Sequence, residues 1–240
     1  MVYLDKDFDM RTFVIPDIHG CSKTLRYLLE VRLGITVNDC LYFLGDYIDR
    51  GPDTPGVIDY LINLKQNDFK ITCLRGNHEQ MLLDSMNGNN DMSLWLMNGG
   101  VETLQQYQQQ ITQIETEYGF LPQKDLDFLN SLNLYAIVES FILVHGGINY
   151  AAQDPFSDVD ALLWNRPMAV PDDFMPGYSI ICGHTPYALT KIIEGIKTPG
   201  CRLFNLDAGC VYKGQFIPGT GYLTALCLET WELEFVECID

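Results

Sequence analysis

Leu41-Tyr42-Phe43-Leu44-Gly45-Asp46-Tyr47-Ile48-Asp49-Arg50-Gly51 is the stretch on which the reading of this chain turns. Residues 41–44 form an apolar run of the length of a buried strand. Gly45 then permits a sharp backbone turn, so that Asp46, Asp49 and Arg50 are displayed together beyond the strand's end. Charged residues set beside two glycines at a strand terminus point to a site, and Asp46 is placed to bridge two metal ions.

The same pattern recurs on both sides. Residues 11–15 are a strand that delivers Pro16-Asp17-Ile18-His19-Gly20, and Ser22 is expected to cap a helix whose Leu25, Leu28, Leu29 and Leu33 recur at helical spacing before Gly34 stops it. Val57, Ile58, Leu61, Ile62 and Leu64 mark a second helix opened by Pro55. Residues 69–74 are a third strand, ending in Arg75-Gly76-Asn77-His78-Glu79 ahead of a helical run over 81–86. Three strand-to-helix units within about 75 residues argue for a layered α/β fold.

A polar helical insertion is expected at about 87–133. It begins with an Asn- and Gly-rich loop over 87–91; Leu104, Tyr107, Ile111, Ile114 and Tyr118 then share one helix face while the glutamines between them face water. A last helix around Leu126, Leu129 and Leu132 returns the chain to the sheet. From Tyr135 short strands are expected at 135–138, 141–144, 179–182, 191–194, 202–206, 222–228 and 232–236, forming a second, largely antiparallel sheet. The fold class is therefore α/β, a two-sheet β-sandwich flanked by helices in α-β-β-α layers, with residues 1–240 as one domain and no internal repeat or linker.

Composition sets outer bounds. With 47% hydrophobic and 20% charged residues the chain has ample material for a core, and no apolar run is long enough for a membrane span. Fifteen Lys and Arg against 32 Asp and Glu give a net charge of −17. That charge repels a nucleic-acid backbone and an anionic membrane surface, so neither is an expected partner and any anionic substrate must be attracted locally. The acidic N-terminus lacks the order of a signal peptide, which points to a cytoplasmic location. The eight cysteines show no CxxC pair and are read as buried free thiols, ahead of disulfides or a zinc site. Oligomeric state is not readable from the sequence.

The chain has 4 histidines, and each sits in a short glycine-bearing motif: His19 in DIHG, His78 in GNHE, His145 in HGG and His184 in GHT. A histidine buried for packing has no need of an adjacent glycine. Asp17, Asp46 and Asn77 follow the apolar runs TFVI, LYFL and ITCL, while His145 and His184 follow FILV and SIIC. Apolar runs that each end in a metal-competent side chain place those donors where α/β sheets build their sites.

Carboxylate, amide oxygen and imidazole without thiolate suit Mn, Fe or Zn in open sites, with manganese the first choice. The donors are too many for one ion. Asp17, His19 and Asp46 would hold one, and Asp46, Asn77, His145 and His184 the other, about 3.5–4 Å away. Two divalent ions so close need an anionic bridge, and a hydroxide made from bound water is the expected nucleophile for a tetrahedral phosphorus centre. Arg50, Arg75 and Arg166 are candidates to fork onto phosphate oxygens as Lys cannot. His78 is assigned the leaving group, donating a proton to it, with Asp49 on its other ring nitrogen raising its pKa.

These blocks, Asp17-Ile-His-Gly20, Gly45-Asp-Tyr-Ile-Asp-Arg-Gly51, Gly76-Asn-His-Glu79, His145-Gly-Gly and Gly183-His184, resemble the phosphoprotein phosphatases of the binuclear calcineurin-like metallophosphoesterase superfamily, in order and over most of the chain. The resemblance implies the same metal ligands, Arg50 and Arg166 on the phosphate, His78 with Asp49 as the acid pair, a central β-sandwich, and direct hydrolysis with no phosphoenzyme. The stretch WLMNGGVETLQQY looks like the bacterial branch of that family, and Tyr212 and Phe216 resemble a loop overhanging its active site. The substrate expected from the resemblance is phosphoserine or phosphothreonine on a protein, with phosphotyrosine or a small phosphoester as alternatives. Bacterial relatives that split symmetrical dinucleoside tetraphosphates share the blocks, but tend to lack the aspartate that is here Asp49 and to carry Asp in place of Glu79. A catalytically dead binding module is the remaining alternative, which the complete ligand set argues against.

Overall fold

A computed structural model describes residues 10–88, 92–110, 120–166, 168–215 and 217–240. Strands β1 (Thr12–Ile15), β2 (Cys40–Phe43) and β3 (Lys70–Cys73) lie parallel, joined by α1 (Ser22–Arg26, prolonged by a wide helical turn to Arg32) and α2 (Thr54–Gln66). Helix α3 (Asn77–Met86) leaves the end of β3, and α4 (Met92–Trp95), α5 (Val101–Gln110) and α6 (Gln123–Asn130) make up the described part of the insertion. The second half contributes β4 (Tyr135–Val138), β5 (Phe141–Val144), α7 (Val159–Trp164), β6 (Ser179–Cys182), α8 (Leu189–Lys197), β7 (Leu203–Asn205), β8 (Tyr222–Cys227) and β9 (Glu232–Glu237). Ile111, Ile114, Tyr118, the tip of the 87–91 loop and Phe216 lie outside the described residues.

The sheets are ordered β3-β2-β1-β8-β9 and β4-β5-β6-β7. Alternation along the strands explains the layering. Phe13 and Ile15 of β1, with Leu41 and Phe43 of β2, pack under the helices, while Val14 and Leu44 join Leu143, Ile181, Phe204 and Leu226 between the sheets. Ile142, Val144 and Ile180 face a third cluster beneath α7. Period-two burial on both faces of both sheets makes the expected α-β-β-α sandwich.

Two expectations about the second half are corrected. The second sheet is not largely antiparallel: only β4 and β5 pair that way, whereas β5, β6 and β7 are parallel, and β8 and β9 complete the first sheet instead. Helices α7 and α8 intervene between the parallel strands, as crossovers require. The strand expected at 191–194 lies within α8, whose Leu189, Ile192 and Ile196 are buried at helical spacing. Four residues reading Lys-Ile-Ile-Glu are too few to separate the two periods. Ser22 is also not a cap. Its hydroxyl donates to Asp53 (2.5 Å), and the first N–H groups of α1 are taken by the Asp240 carboxylate, from Lys23 (3.0 Å) and Thr24 (2.8 Å).

Candidate metal centre and active site

Parallel pairing brings the ends of β1, β2 and β3 to one rim, and β5, β6 and β7 end opposite them. The backbone ties the two rims together. His145 sits on the Leu44 carbonyl through Nδ1 (3.1 Å), and the His184 N–H donates to Asp17 Oδ1 (2.9 Å) and Oδ2 (3.1 Å). Asp17, His19, Asp46, Asn77 and His145 are all buried.

At the centre is Asp46 Oδ2, with His145 Nε2 at 3.4 Å, His19 Nε2 at 3.6 Å and His78 Nε2 at 4.0 Å. Asn77 Oδ1 stands 2.9 Å from both His145 Nε2 and His184 Nδ1. His19 gives its Nδ1 to the Ile48 carbonyl (2.8 Å), as His145 gives its own to Leu44. A neutral imidazole whose Nδ1 donates has only a lone pair on Nε2. Lone pairs of His19 and His145 thus converge on a carboxylate oxygen and an amide oxygen that are themselves acceptors. Such an array repels itself unless cations lie within it, and burial sharpens the point. Desolvation, then repulsion from Asp207 and Asp46, pushes the Asp17 carboxyl up; desolvation, then Glu79, does the same to Asp46. Desolvation also lowers His19 and His145, and brings His184 to about 4, so the rings are held neutral as ligands must be. Donor atoms lie within 4.8 Å of one another in two groups that share Asp46, one of His19, Asp46 and His78 and one of Asp46, His145 and His184, a mixed N and O set that fits divalent ions.

The loop after β2 is built to hold its residues in unusual conformations. Asp46, Asp49 and Arg50 have φ of 52°, 72° and 67°. Gly45, at φ 113°, passes so close to the next loop that a Cβ there would lie 2.5 Å from the Gly76 nitrogen. Into this junction reaches Glu79, fully buried, accepting from the backbone N–H groups of Tyr47 (2.8 Å), Gly76 (2.8 Å), Asp46 (3.0 Å) and Ile48 (3.3 Å).

His78 Nδ1 lies 2.7 Å from Asp49 Oδ2, and neither residue reaches solvent to more than 1%. The Asp49 carboxylate also accepts from Trp95 Nε1 (3.0 Å) and the Thr103 hydroxyl (2.8 Å), both contributed by the insertion. Asp49 does not leave His78 with a raised pKa. Burial first, with the Arg50 guanidinium as the fixed positive charge nearby, lowers it, and burial raises Asp49. The expectation of a charged histidine omitted the cost of burying it beside that cation.

Arg50 places Nη1 2.5 Å from His19 Nε2, and its guanidinium carbon lies 5.7 Å from the Tyr212 ring, so Tyr212 does overhang this part of the site. Arg166 brings Nε to 3.4 Å from His184 Nε2. Arg75 is not brought into the cluster: its guanidinium donates to Gln80 Oε1 (3.0 Å) and the Asn130 carbonyl (3.3 Å) on the side of α6. A residue after a strand end need not point along the strand, and Arg75 turns away while Asn77 turns in.

Asp207 escaped the sequence reading. It is buried two residues past β7, its Oδ1 accepts from the Gly209 N–H (2.7 Å), and burial raises its pKa to about 6. The stretch Leu203-Phe-Asn-Leu-Asp-Ala-Gly209 carries the same apolar-run, Asp and Gly signal as the other strand ends and would have found it.

Known proteins can now be set beside this geometry. The calcineurin-like phosphoesterase family matches residues 10–210. Serine/threonine-protein phosphatase 1 of Salmonella typhimurium is 44% identical over 89 residues, 37% of this chain and 38% of that protein, so the match spans well under half of that relative's length. A symmetrical bis(5'-nucleosyl)-tetraphosphatase of Photorhabdus laumondii is 25% identical over 264 residues, covering 86% of this chain and 92% of that one. In fold the chain is similar to a protein serine/threonine phosphatase from Saccharomyces cerevisiae, at a TM-score of 0.63 and 17% identity, over 98% of this chain and 82% of that one. The family match spans every one of the strand-end motifs that build the cluster, and the chain belongs to the calcineurin-like phosphoesterases.

Proposed function

We propose that this chain is a metal-dependent phosphatase that hydrolyses phosphate monoesters on serine or threonine side chains of proteins, with no phosphoenzyme. The observation that carries the reading is the buried Asp49–His78 pair, held by Trp95 and Thr103. Two divalent ions, manganese first, would be held by Asp17, His19, Asp46, Asn77, His145 and His184 and would supply charge stabilisation and an activated water. His78 has one ring nitrogen fixed on Asp49 and the other turned toward Asp46. The negative charge of a phosphate bound at the cluster would raise the His78 pKa again, and that orientation then suits delivery of its proton to a leaving alkoxide, the group a phosphoserine or phosphothreonine must expel. Arg50 and Arg166 flank the cluster and would bind the non-bridging oxygens bidentately, which offsets the net charge of −17 at the one place where an anion must approach. Beside Arg50 lies a cavity of about 640 Å³, lined by Leu96, Met97, Val211 and Tyr212 together with Asn98, Glu102 and Gln215, which gives the remainder of a substrate a wall of mixed polarity. A cytoplasmic location is supported by the eight cysteines, all free thiols; no helix among the described residues is long and apolar enough to cross a membrane.

A second reading, hydrolysis of symmetrical dinucleoside tetraphosphates, is favoured by the end-to-end similarity to the Photorhabdus laumondii enzyme. Steady-state kinetics of the manganese-loaded protein on phosphoserine and phosphothreonine peptides and on diadenosine tetraphosphate separate the two. A kcat/KM at least tenfold higher for a phosphopeptide is the expected result. The reverse preference overturns the assignment, and failure of Asp46→Asn to abolish either activity overturns the metal site itself.

A further inference from the structure

Apart from the phosphate-processing cluster, the described residues hold one other convergence of metal-competent side chains. Cys21, Cys210 and Cys238 come from the loop after β1, the turn after β7 and the end of β9, and their sulfurs all lie within 4.8 Å of one another. The Sγ atoms of Cys21 and Cys238 are 3.9 Å apart, and Cys210 Sγ lies within 4.8 Å of both. No spacing in the sequence announces this trio, because the fold alone assembles it.

We propose that these three cysteines bind one thiophilic cation of the zinc or copper(I) class, separately from the ions of the active site. The Cys21–Cys238 separation is that of two ligands on one ion, and Cys210 is near enough to close on the same ion with a small side-chain shift. At a metal–sulfur distance of about 2.3 Å, sulfurs lie roughly 3.8 Å apart around a tetrahedral ion and roughly 4.0 Å apart around a trigonal one. The donor type excludes competition from manganese, which prefers oxygen and imidazole, while three thiolates select soft ions.

One supporting contact is in place. Cys238 Sγ accepts from the Thr24 hydroxyl (3.8 Å), which favours a thiolate, and a cation taken up by the trio would displace the Cys21 proton now directed at the His19 carbonyl (3.6 Å). Cys21 and Cys210 are buried, whereas Cys238 is half-buried and, with Cys21, lines a cavity of about 510 Å³ bounded also by Gly51, Gln106 and Asp240. That cavity gives an ion its route in and leaves room for water as a fourth ligand. Ligation ties together the loop that carries His19, the turn that carries Tyr212, and the last strand.

Cadmium titration of the manganese-loaded protein tests this, because active-site donors are nitrogen and oxygen only and thiolate-to-cadmium charge-transfer absorption reports sulfur ligation alone. One equivalent per chain is expected to develop the band, and zinc or copper(I) to bleach it by competition. Cys238→Ser, the substitution least disturbing to the core, and Cys210→Ala are each expected to weaken cadmium binding by more than about 100-fold, the upper end of the loss from removing even a supporting contact. Cys201→Ser, outside the trio, is expected to leave it intact. Absence of the band, its persistence in Cys238→Ser, or its loss in Cys201→Ser overturns the proposal, as does a trio that only forms a disulfide under peroxide and takes up no cadmium when reduced.

Discussion

Replacing Glu79 by Gln asks whether the loop after β2 is held in shape by a buried acceptor rather than by its own residues. Left-handed backbone costs an L residue roughly 1–2 kcal/mol, so Asp46, Asp49 and Arg50 together store about 3–6 kcal/mol that something else must offset. The four N–H bonds to Glu79 are placed to do so, Oε1 serving Tyr47 and Ile48 and Oε2 serving Asp46 and Gly76. Gln keeps the volume and one oxygen, but its amide NH2 confronts two N–H donors. Each buried N–H left unpaired costs about 1–3 kcal/mol, so Glu79→Gln is expected to destabilise by about 2–6 kcal/mol. That is a large share of a stability that is typically about 5–15 kcal/mol.

Burial raises the Glu79 pKa, and the N–H bonds, which need the ionised carboxylate to accept all four, lower it. Urea denaturation gives the stability, and metal stoichiometry of the folded fraction shows whether Asp46 still holds its place. Destabilisation below about 0.5 kcal/mol, the range of neutral surface substitutions, together with full metal content would refute the reasoning.

Trp95→Phe removes one hydrogen bond to the buried Asp49 carboxylate, worth about 1.5–3 kcal/mol, and is expected to lower kcat on alkyl phosphates roughly tenfold or more, with less effect on p-nitrophenyl phosphate, whose leaving group needs little protonation. Equal losses on both esters would count against His78 as the proton donor. Tyr107→Phe deletes the 2.7 Å bond to Asp125 Oδ2, leaving a buried carboxyl whose Oδ1 has no hydrogen bond and only a 3.7 Å ion pair with Lys124, and should cost about 1–3 kcal/mol in denaturant titrations without altering the site. Burial alone would raise the Asp39 pKa, but bonds from Arg11 and the Thr36 N–H bring it below the usual range. Its stabilisation is therefore present above about pH 4 and lost as pH falls through the folded value, so Asp39→Asn should be less stable than wild type at neutral pH by a margin that shrinks in acid. A margin independent of pH would exclude that origin.

The convergence of the candidate metal ligands was legible because each sits within a few residues of an apolar run, and parallel pairing then aligns the strand ends automatically. Residues whose roles depend on contacts far along the chain were not. Trp95 and Thr103 meet Asp49 across 46 and 54 residues, and nothing about a lone Trp in a polar insertion foretells its indole N–H on a buried carboxylate. Glu79 was noticed as a family marker, yet its four N–H bonds exist only once the loops after β2 and β3 abut. The parallel order of the second sheet was hidden because the Lys-Ile-Ile-Glu stretch of α8 mimics a strand, which removed the crossover from view. Arg75 failed for a different reason: position after a strand fixes where a backbone goes, not where a long side chain turns.

The insertion bears on the proposed site more directly than a wall around a substrate would. Gly99 accepts the backbone N–H of Arg50 (3.1 Å), Gln106 accepts from the Thr54 N–H (2.7 Å) and donates to the Gly51 carbonyl (2.7 Å), and Thr103 and Trp95 fix Asp49. Leu96, Met97 and Gly99 of that segment also line the cavity beside Arg50. One segment therefore touches both the space for the substrate's remainder and the backbone of the strained loop that presents Asp49 and Arg50. Met97 is 87% exposed and free to yield, so the aim of Asp49 and Arg50 rests on the buried contacts of Trp95, Thr103 and the Gly99 carbonyl rather than on the cavity wall.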